Sequence, residues 1–438
     1  MRTTQHFHPK SISNFKTQLL SWAQLFEDVA WLDSNNYDEK YSTYDAILAV
    51  DAFTSLKTDY FDAFKKLEEY QCITKDWIFG YLTYDLKNTT EDLSSCNFDG
   101  LHFPDLYFFQ PKKLFLIKGD TVEIQYLRMV EDEVEEDLER IQNSIESPNV
   151  ISKESEKSHN SEPIKIKLRI TKDDYFKKVE QMLAHIQRGD IYEANFCQEF
   201  YAEKTKIQPL ETFNKLNKIS QPPFASFIKS SDKYLLSASP ERYIKKKANK
   251  VISQPIKGTA KRSVDKVEDE RLAKALSEDE KERSENIMIV DLVRNDMSHT
   301  AQKGSVKVEE LCKVYSFLQV HQLISTIISE VEEDIRPIKL LETTFPMGSM
   351  TGAPKISAMK IIENLEETKR GLYSGSVGYF TPNDDFDFNV IIRSILYNQT
   401  EKYVSYSVGS AITAKSNPLK EYEECLIKAK AMREVLEN

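Results

Sequence analysis

Apolar residues recur at helical spacing in the stretch that follows Thr171. The apolar positions of this stretch are Tyr175, Val179, Leu183 and Ile186. Because they are three or four residues apart, they share one face of a helix. Thr171 is suited to cap the first turn, and Gly189 is suited to end the last one. The pattern therefore predicts an amphipathic helix between Thr171 and Gly189.

Runs rich in β-branched and aromatic residues alternate with helical stretches elsewhere. The longest such runs predict strands at 191–201, 234–245 and 386–397. Long helices are predicted at 277–293, 354–365 and 419–436. Gly119 and Asp120 separate two further apolar runs and predict a hairpin turn. The order of these elements is mixed rather than a regular alternation. We therefore predict an α+β fold, with large mixed or antiparallel β-sheets packed face to face and helices outside them.

The composition changes between residues 131 and 162. An acidic run is followed there by Ser, Asn, Lys and Glu, with few residues that could pack into a core. We predict an N-terminal region at 1–150, an exposed linker at 151–164 and a C-terminal catalytic region at 165–438.

Charge and composition narrow the function. The chain has 438 residues and a net charge of -11, which argues against binding to a phosphate backbone. No apolar run reaches the roughly 18 residues that a membrane-spanning helix needs. The five cysteines are scattered and odd in number, as in a reduced cytosolic protein. We expect a cytoplasmic protein that binds neither nucleic acid nor membrane.

One lysine is the first candidate for chemistry. Lys257 lies in the run 255–259, and Glu241 lies sixteen residues before it. A nucleophilic lysine must be neutral, and burial lowers a lysine pKa because it disfavours the charged form. We predict Lys257 to be an uncharged nucleophile in a dry cavity, with Glu241 as the proton donor. An exposed turn with a solvated ammonium is the alternative for the run taken alone.

Two acidic pairs have the same spacing. They are Glu282 with Glu285 and Glu421 with Glu424. On helices, this spacing places both carboxylates of a pair on one face. Convergence of four carboxylates would favour a hard divalent cation such as Mg²⁺. Two solvated helix faces are the alternative that spacing alone does not exclude.

A loop, an arginine and a histidine are further candidates. The glycine-rich loop 348–354 leads into a predicted helix, and exposed N–H groups at such a start favour an anion. An ordinary loop before a helix is the alternative. Arg393 is the lone charge in an apolar run, suited either to an internal salt bridge or to a ligand carboxylate. His321, between apolar neighbours, is either a core histidine or a site residue.

Taken together, these motifs resemble the chorismate-utilising enzyme family. The resembling blocks are 189–192, 239–242, 255–259, 285–296, 351–355, 392–393 and 421–422, with fainter matches at 31–34 and 80–85. The resemblance implies a fold like that of anthranilate synthase component I. With a lysine at position 257, the block 255–259 resembles that of the aminodeoxychorismate synthase component I branch of the family. Anthranilate synthases carry alanine at this position.

The resemblance implies a reaction. Lys257 would attack carbon C2 of chorismate while Glu241 protonates the departing 4-hydroxyl group. Ammonia would then add at C4 and expel the lysine, giving 4-amino-4-deoxychorismate for 4-aminobenzoate and folate biosynthesis.

The resemblance also implies the binding residues. Mg²⁺ would be held by Glu285 and Glu424, with Glu282 and Glu421 close by. Arg393 and Tyr379 would hold the enolpyruvyl carboxylate of the substrate, and the Gly352 backbone would contact a substrate carboxylate. His321 would lie beside the substrate ring, and Thr351 and Gly409 are the other implied substrate-binding residues. Leu32 and Ser34 fall in a motif that lines a tryptophan pocket in relatives.

Four positions depart from the family pattern. Glu193 stands where isochorismate and salicylate synthases use a lysine and the aminating enzymes more usually have glutamine. Ser410 and Ala411 interrupt a glycine-rich turn, and Trp31 replaces a common leucine beside Leu32. The carboxylate of Glu193 argues against water as the nucleophile.

The source of ammonia is a separate question. None of the five cysteines lies in a GxCxG nucleophile elbow. We therefore expect ammonia from solution or from a separate glutamine amidotransferase subunit. Two alternatives stay open: anthranilate synthase component I, and a non-catalytic chorismate-binding relative.

Overall fold

The computed structural model describes residues 2–37, 39–144, 164–318 and 320–437. Of the predicted linker at 151–164, residues 151–163 lie outside the described residues. The N-terminal and C-terminal regions on either side of it are joined by strand pairing. β2 (Asp28–Asp33) pairs with β9 (Phe224–Ser230), and β4 (Ile78–Leu82) pairs with β17 (Ser376–Phe380). The two regions therefore build one sheet together.

The sheet branches into two arms at a central pair of long strands. This pair is β3 (Ala46–Thr58) and β5 (Leu106–Lys118), and β5 continues through β6 (Thr121–Leu127) to β1 (Arg2–Phe7). The first arm runs from β3 through β2, β9, β10 (Lys233–Ser239), β19 (Ser394–Asn398), β20 (Tyr403–Thr413) and β8 (Glu193–Ala202) to β7 (Lys167–Leu168) and β16 (Gly352–Ala353). The second arm runs from β5 through β4, β17, β18 (Phe386–Val390), β11 (Arg242–Lys247), β12 (Lys250–Gln254) and β15 (Val320–Glu330) to β13 (Ile256–Lys261) and β14 (Lys307–Ser316).

Eleven α-helices accompany the strands in the described residues. They are α1 (Ile12–Ala23), α2 (Ala63–Thr74), α3 (Lys87–Thr90), α4 (Val134–Asn143), α5 (Lys172–Arg188), α6 (Pro209–Ser220), α7 (Lys266–Glu278), α8 (Glu280–Ser298), α9 (Pro337–Thr344), α10 (Lys355–Leu365) and α11 (Pro418–Glu437). Short 3-10 turns lie at Tyr84–Leu86, Arg128–Glu133 and Gly348–Met350. None of the helices in the described ranges is both long and apolar enough to cross a membrane.

Two large hydrophobic cores follow from the alternation of side chains along the strands. Leu235 of β10 belongs to a core that includes Ile327 from the second arm, so the two arms face each other across it. Its neighbour Leu236 belongs to the other core, which the first arm forms with α1, α4, α5, α6, α10 and α11. Within the described residues, every pairing between strands is antiparallel. The predicted α+β class is confirmed.

Local patterns predicted several elements closely. α5 begins after Thr171, whose side chain accepts a hydrogen bond from the Asp174 N–H group, and it ends at Gly189 with φ +83°. The hairpin between β5 and β6 pairs Lys118 with Thr121 around Gly119, as predicted. α11 covers the predicted helix at 419–436.

Two predicted strands are interrupted, and both breaks carry candidate residues. The run 234–245 is divided into β10 and β11 around Glu241, because Pro240 cannot donate a ladder hydrogen bond. The run 386–397 is divided into β18 and β19 around Arg393, whose φ is +53°. The predicted helix at 277–293 is likewise divided, because Asp279 caps α8 directly after α7 ends.

Candidate active site

Lys257 lies at a β-bulge. The pairing of β13 with β15 shifts between Ile256 and Thr259, and Lys257 and Gly258 occupy the irregular step. Gly258 has φ +94°, a backbone conformation that glycine adopts without steric cost. A Cβ atom there would lie 3.2 Å from Oε2 of Glu282. The glycine therefore lets the strand approach α8 closely, next to Lys257.

The Lys257 amine is charged in the resting protein. It donates to Oε1 of Glu193 at 3.0 Å, and the two side chains are 13% and 2% exposed. Burial lowers the pKa of Lys257, but the charges of Glu193, Glu285 and Glu424 raise it, and the net direction is upward. The prediction that this amine rests uncharged is wrong, since nearby carboxylates outweigh desolvation. The amine is largely buried and lies close to three carboxylates.

Glu241 lies beside Lys257 in the break between β10 and β11. It is buried and accepts hydrogen bonds from the Ser349 hydroxyl and the Ile256 backbone N–H group. Burial raises the pKa of Glu241 to about 7, although these bonds and the Lys257 charge oppose the rise. A carboxyl group with this pKa is protonated in a large fraction of molecules at neutral pH. It is therefore suited to donate a proton.

The four glutamates come from the first two turns of two helices. α8 carries Glu282 and Glu285, and α11 carries Glu421 and Glu424. Burial raises the pKa of Glu285 to about 7, while the charges of two nearby lysines oppose the rise. Burial also raises the pKa of Glu282, and the charge of Glu424 adds to this. The two pairs are thus close enough for their charges to interact.

The chemistry of these carboxylates fits Mg²⁺, although their oxygen atoms do not converge on one point. In the described ranges, no three acidic, histidine or cysteine groups converge tightly enough to hold a metal ion. Oε1 of Glu285 is nevertheless buried without a hydrogen-bond partner. Oxygen ligands of this kind are the ones that Mg²⁺ prefers. A cation would therefore bind an oxygen to which the described protein donates no hydrogen bond.

Thr351 and Gly352 are held against the strand that carries Glu193. Gly352 pairs with Ala194, and a Cβ atom on Gly352 would lie 2.1 Å from the backbone oxygen of Glu193. Only glycine permits this approach. The Thr351 hydroxyl is buried and donates to the Gly348 carbonyl oxygen at 3.2 Å. The loop therefore lies beside Glu193, with its backbone close to the site.

Arg393 has a hydrogen bond but no ion pair. Its guanidinium donates to the Lys428 carbonyl oxygen at 3.2 Å. Among the described residues, no carboxylate lies within 4.0 Å of it, so the alternative of an internal salt bridge is not observed. Burial lowers the pKa of Arg393, while Tyr373 and Glu424 raise it. A half-buried cation without a counter-ion is suited to a ligand carboxylate.

Gly409 adjoins the same corner. The Lys428 amine donates to the Gly409 carbonyl oxygen at 2.9 Å and to Glu424 Oε1 at 2.5 Å. A Cβ atom on Gly409 would lie 2.5 Å from Sγ of Cys197, so the position has no room for a side chain. The Ser410 hydroxyl instead lies 3.4 Å from that of Tyr175 on α5. Ser410 therefore faces the helices and does not narrow the corner.

Tyr379 lies in a different cavity. Its ring packs on Trp77 and Phe79, and it lines a pocket together with Leu32 and Ser34. The prediction that Tyr379 holds a substrate carboxylate with Arg393 does not match this placement. The sequence motif could not show which tyrosine the fold turns toward the arginine. Tyr373, missed by the sequence analysis, is the tyrosine that lies near Arg393.

The predicted tryptophan-pocket residues do line one cavity. Leu32 and Ser34 share its wall with Phe224, and the Ser34 hydroxyl is buried without a hydrogen-bond partner. Trp31 belongs to the hydrophobic core on the other face of β2. Its substitution for leucine therefore does not reach the cavity. The ligand that binds in this cavity stays a prediction.

His321 has partners outside the glutamate group. Its Nε2 atom lies 3.0 Å from Asp269 Oδ1, and its Nδ1 atom lies 2.8 Å from the Ser316 hydroxyl. The side chain is buried. Both ring nitrogens thus have hydrogen-bond partners within the protein. This is the arrangement expected for a core histidine, the first of the two alternatives. The position of His321 beside the substrate ring stays a prediction.

Two lysines of the site were also missed. Lys281 precedes Glu285 by four residues, and Lys428 follows Glu424 by four. Helical i, i+4 spacing from the acidic pairs could have found both. Gln322 could not be found in this way, because only the pairing of β13 with β15 brings it opposite Thr259. Its Oε1 atom is buried without a partner.

Comparisons with known proteins follow this geometry. Residues 27–434 match the family model described as "chorismate binding enzyme". Aminodeoxychorismate synthase component 1 of Bacillus subtilis is 31% identical over 371 residues, 82% of this chain and 76% of that protein. Anthranilate synthase component 1 of Aquifex aeolicus is also 31% identical, over 375 residues, 82% of this chain and 74% of that protein.

A longer relative matches more closely over a shorter part. The probable chloroplastic aminodeoxychorismate synthase of Oryza sativa subsp. japonica is 39% identical over 270 residues, 61% of this chain. The match spans only 30% of the rice protein.

A solved structure shows the same fold. Anthranilate synthase component I from Streptococcus pneumoniae has a TM-score of 0.77 and 24% identity, over 91% of this chain and 93% of that one. The predicted likeness of fold is confirmed. With the family match over most of its length, the chain belongs to the chorismate binding enzymes.

Proposed function

We propose that this protein aminates chorismate to 4-amino-4-deoxychorismate, the reaction of aminodeoxychorismate synthase component I. The observation that carries the proposal is the Lys257 amine, buried beside Glu241 and among acidic groups. An amine at this position can form a covalent bond with the substrate ring. An alanine, which anthranilate synthases carry there, cannot.

The residues have distinct roles in the proposed reaction. Lys257 first passes a proton to Glu193, its acceptor at 3.0 Å, and the neutral amine attacks ring carbon C2. The double bonds shift, and Glu241 protonates the hydroxyl group that leaves C4 as water. Ammonia then attacks C4, the double bonds shift back, and the C2–nitrogen bond breaks. The released amine recovers its proton from Glu193, and the new ammonium group returns one to Glu241.

Substrate binding uses the remaining charges. Arg393 is suited to the enolpyruvyl carboxylate, since it has no carboxylate partner within the described protein. Mg²⁺, when bound through Glu285 and Glu424, with Glu282 and Glu421 close by, would neutralise the ring carboxylate. The Gly352 backbone lies close enough to Glu193 to border the same site.

The ammonia would come from a separate glutamine amidotransferase subunit or from solution. Support for a second subunit comes from the relatives of Bacillus subtilis and Aquifex aeolicus, both named component 1. With such a partner and a lyase that releases pyruvate, the product would become 4-aminobenzoate for folate biosynthesis.

Anthranilate synthesis is the second candidate. It is favoured by the Aquifex aeolicus relative, whose identity of 31% equals that of the aminating relative from Bacillus subtilis. Identity therefore does not decide between the two reactions. Lys257 favours amination, because anthranilate formation needs no amine from the protein.

A product assay separates the two candidates. The purified protein is given chorismate, Mg²⁺ and ammonium, with and without an added aminodeoxychorismate lyase. We expect 4-aminobenzoate only when the lyase is present. Fluorescent anthranilate in both reactions, without 4-aminobenzoate, would contradict the proposal.

We also expect Glu193→Gln to lower the pKa of Lys257. The substitution removes the carboxylate that pairs with the amine, and such a partner typically shifts a pKa by about 1 to 2. The measurement is the pH dependence of Lys257 labelling by a small amine-reactive reagent, read by peptide mass spectrometry. Glu203→Gln, which removes an exposed partner of Lys167 just beyond the end of β8, is the control. An unchanged Lys257 profile would contradict the assigned pairing.

A further inference from the structure

Lys281 places a positive charge beside Glu285, one of the four candidate metal ligands. It lies in the first turn of α8, and its Nζ atom is 3.7 Å from Oε1 of Glu285. That oxygen is buried and has no hydrogen-bond partner. Burial lowers the pKa of Lys281. The charges of four carboxylates raise this pKa, and the net direction is upward. The four are those of Glu282, Glu285, Glu421 and Glu424. The amine therefore lies against Glu285, and the other three carboxylates are near enough for their charges to act on it.

The position of this amine is easily changed. In the described chain no hydrogen bond holds the Lys281 amine, and its side chain is 43% exposed. The other lysine at the group, Lys428, is fixed by the Gly409 carbonyl oxygen as well as by Glu424. Lys281 can thus turn into solvent without breaking a second contact, whereas Lys428 cannot.

We propose that Lys281 is the resident counter-cation of the glutamate group, and that a divalent cation must displace its amine in order to bind. The amine neutralises carboxylates that would otherwise repel one another in the metal-free protein. A metal ion entering the group meets this positive charge and competes with it for Glu285. Lys281 therefore sets the metal affinity of the free protein. The inference depends on the glutamates being metal ligands, but not on which product the enzyme makes.

The test is calorimetric titration of the full-length protein with magnesium chloride alone. We expect Lys281→Met, which keeps the alkyl stem and removes the charge, to bind Mg²⁺ at least tenfold more tightly than the wild type. Lys281→Arg keeps a positive charge and should stay within about threefold of the wild type. Lys274→Met, on α7 with a side chain 75% exposed, controls for the general change of charge.

Thermal unfolding gives a second readout. Without metal, Lys281→Met should unfold at a lower temperature than the wild type, and saturating Mg²⁺ should remove the difference. Equal or weaker Mg²⁺ affinity in Lys281→Met would overturn the proposal. An equal gain in Mg²⁺ affinity in Lys274→Met would also overturn it. If neither the wild type nor Lys281→Met binds Mg²⁺, the metal assignment itself fails, while the product assay still tests amination.

Discussion

Lys257→Ala is expected to abolish amination of chorismate, with a loss of at least about a thousandfold in rate. The covalent route divides one difficult displacement into two easier steps, and it needs the amine as the attacking group. In the wild type, mass spectrometry of the protein quenched with chorismate, Mg²⁺ and no ammonia should show a Lys257 adduct. The adduct should increase the mass of the protein by that of chorismate less one water. The adduct should be absent from the variant.

Folding of this variant needs its own control. Removing the lysine leaves Glu193 buried and unpaired, and breaking such a pair typically costs about 3 to 5 kcal/mol. The double variant Lys257→Ala with Glu193→Gln removes the leftover charge and should unfold at a higher temperature than Lys257→Ala alone. It should also form no adduct. Lys261→Ala, at the exposed end of the same strand, is the matched control and should retain activity.

Lys257→Arg separates charge from nucleophilicity. Arginine can keep the ion pair with Glu193, but it does not lose its proton in proteins. We therefore expect a stable protein that is as inactive as Lys257→Ala. Substantial amination by either variant would contradict a covalent role for the amine.

Glu241→Gln is expected to slow adduct formation by about a hundredfold to ten-thousandfold, the usual contribution of a general acid. The amide fills the same space and can keep the contact with Ser349, but it cannot give a proton to the leaving hydroxyl. The rate is measured in a single turnover by quenched mass spectrometry. Glu280→Gln, at the exposed start of α8, is the control.

The pH dependence gives an independent check on Glu241. Its pKa is raised to about 7, so the protonated form that donates is lost as the pH rises above that value. Wild-type adduct formation should fall about tenfold for each further pH unit, and in Glu241→Gln this fall should disappear. A full rate in Glu241→Gln would contradict its role as the acid.

The local pattern was sufficient for elements whose signals lie within a few residues. α5, α11 and the hairpin at Gly119 follow from caps, periodicity and turn residues, and they formed as predicted. The sequence patterns did not predict the breaks that divide two of the strands. The interruptions at Glu241 and Arg393 fall within runs of strand-forming residues, and they aim each side chain at the site only in the assembled sheet.

The sequence by itself determined the α+β class, the family and the acidic, basic and glycine-rich motifs, because these depend on residue types at short spacings. The tertiary structure decided the charge of Lys257, since that depends on carboxylates brought together from β8, α8 and α11. It also decided which tyrosine lies near Arg393 and which residues bind the ring nitrogens of His321. Electrostatic interactions act through space, so residues far apart in the chain set them, and a motif alone does not reveal them.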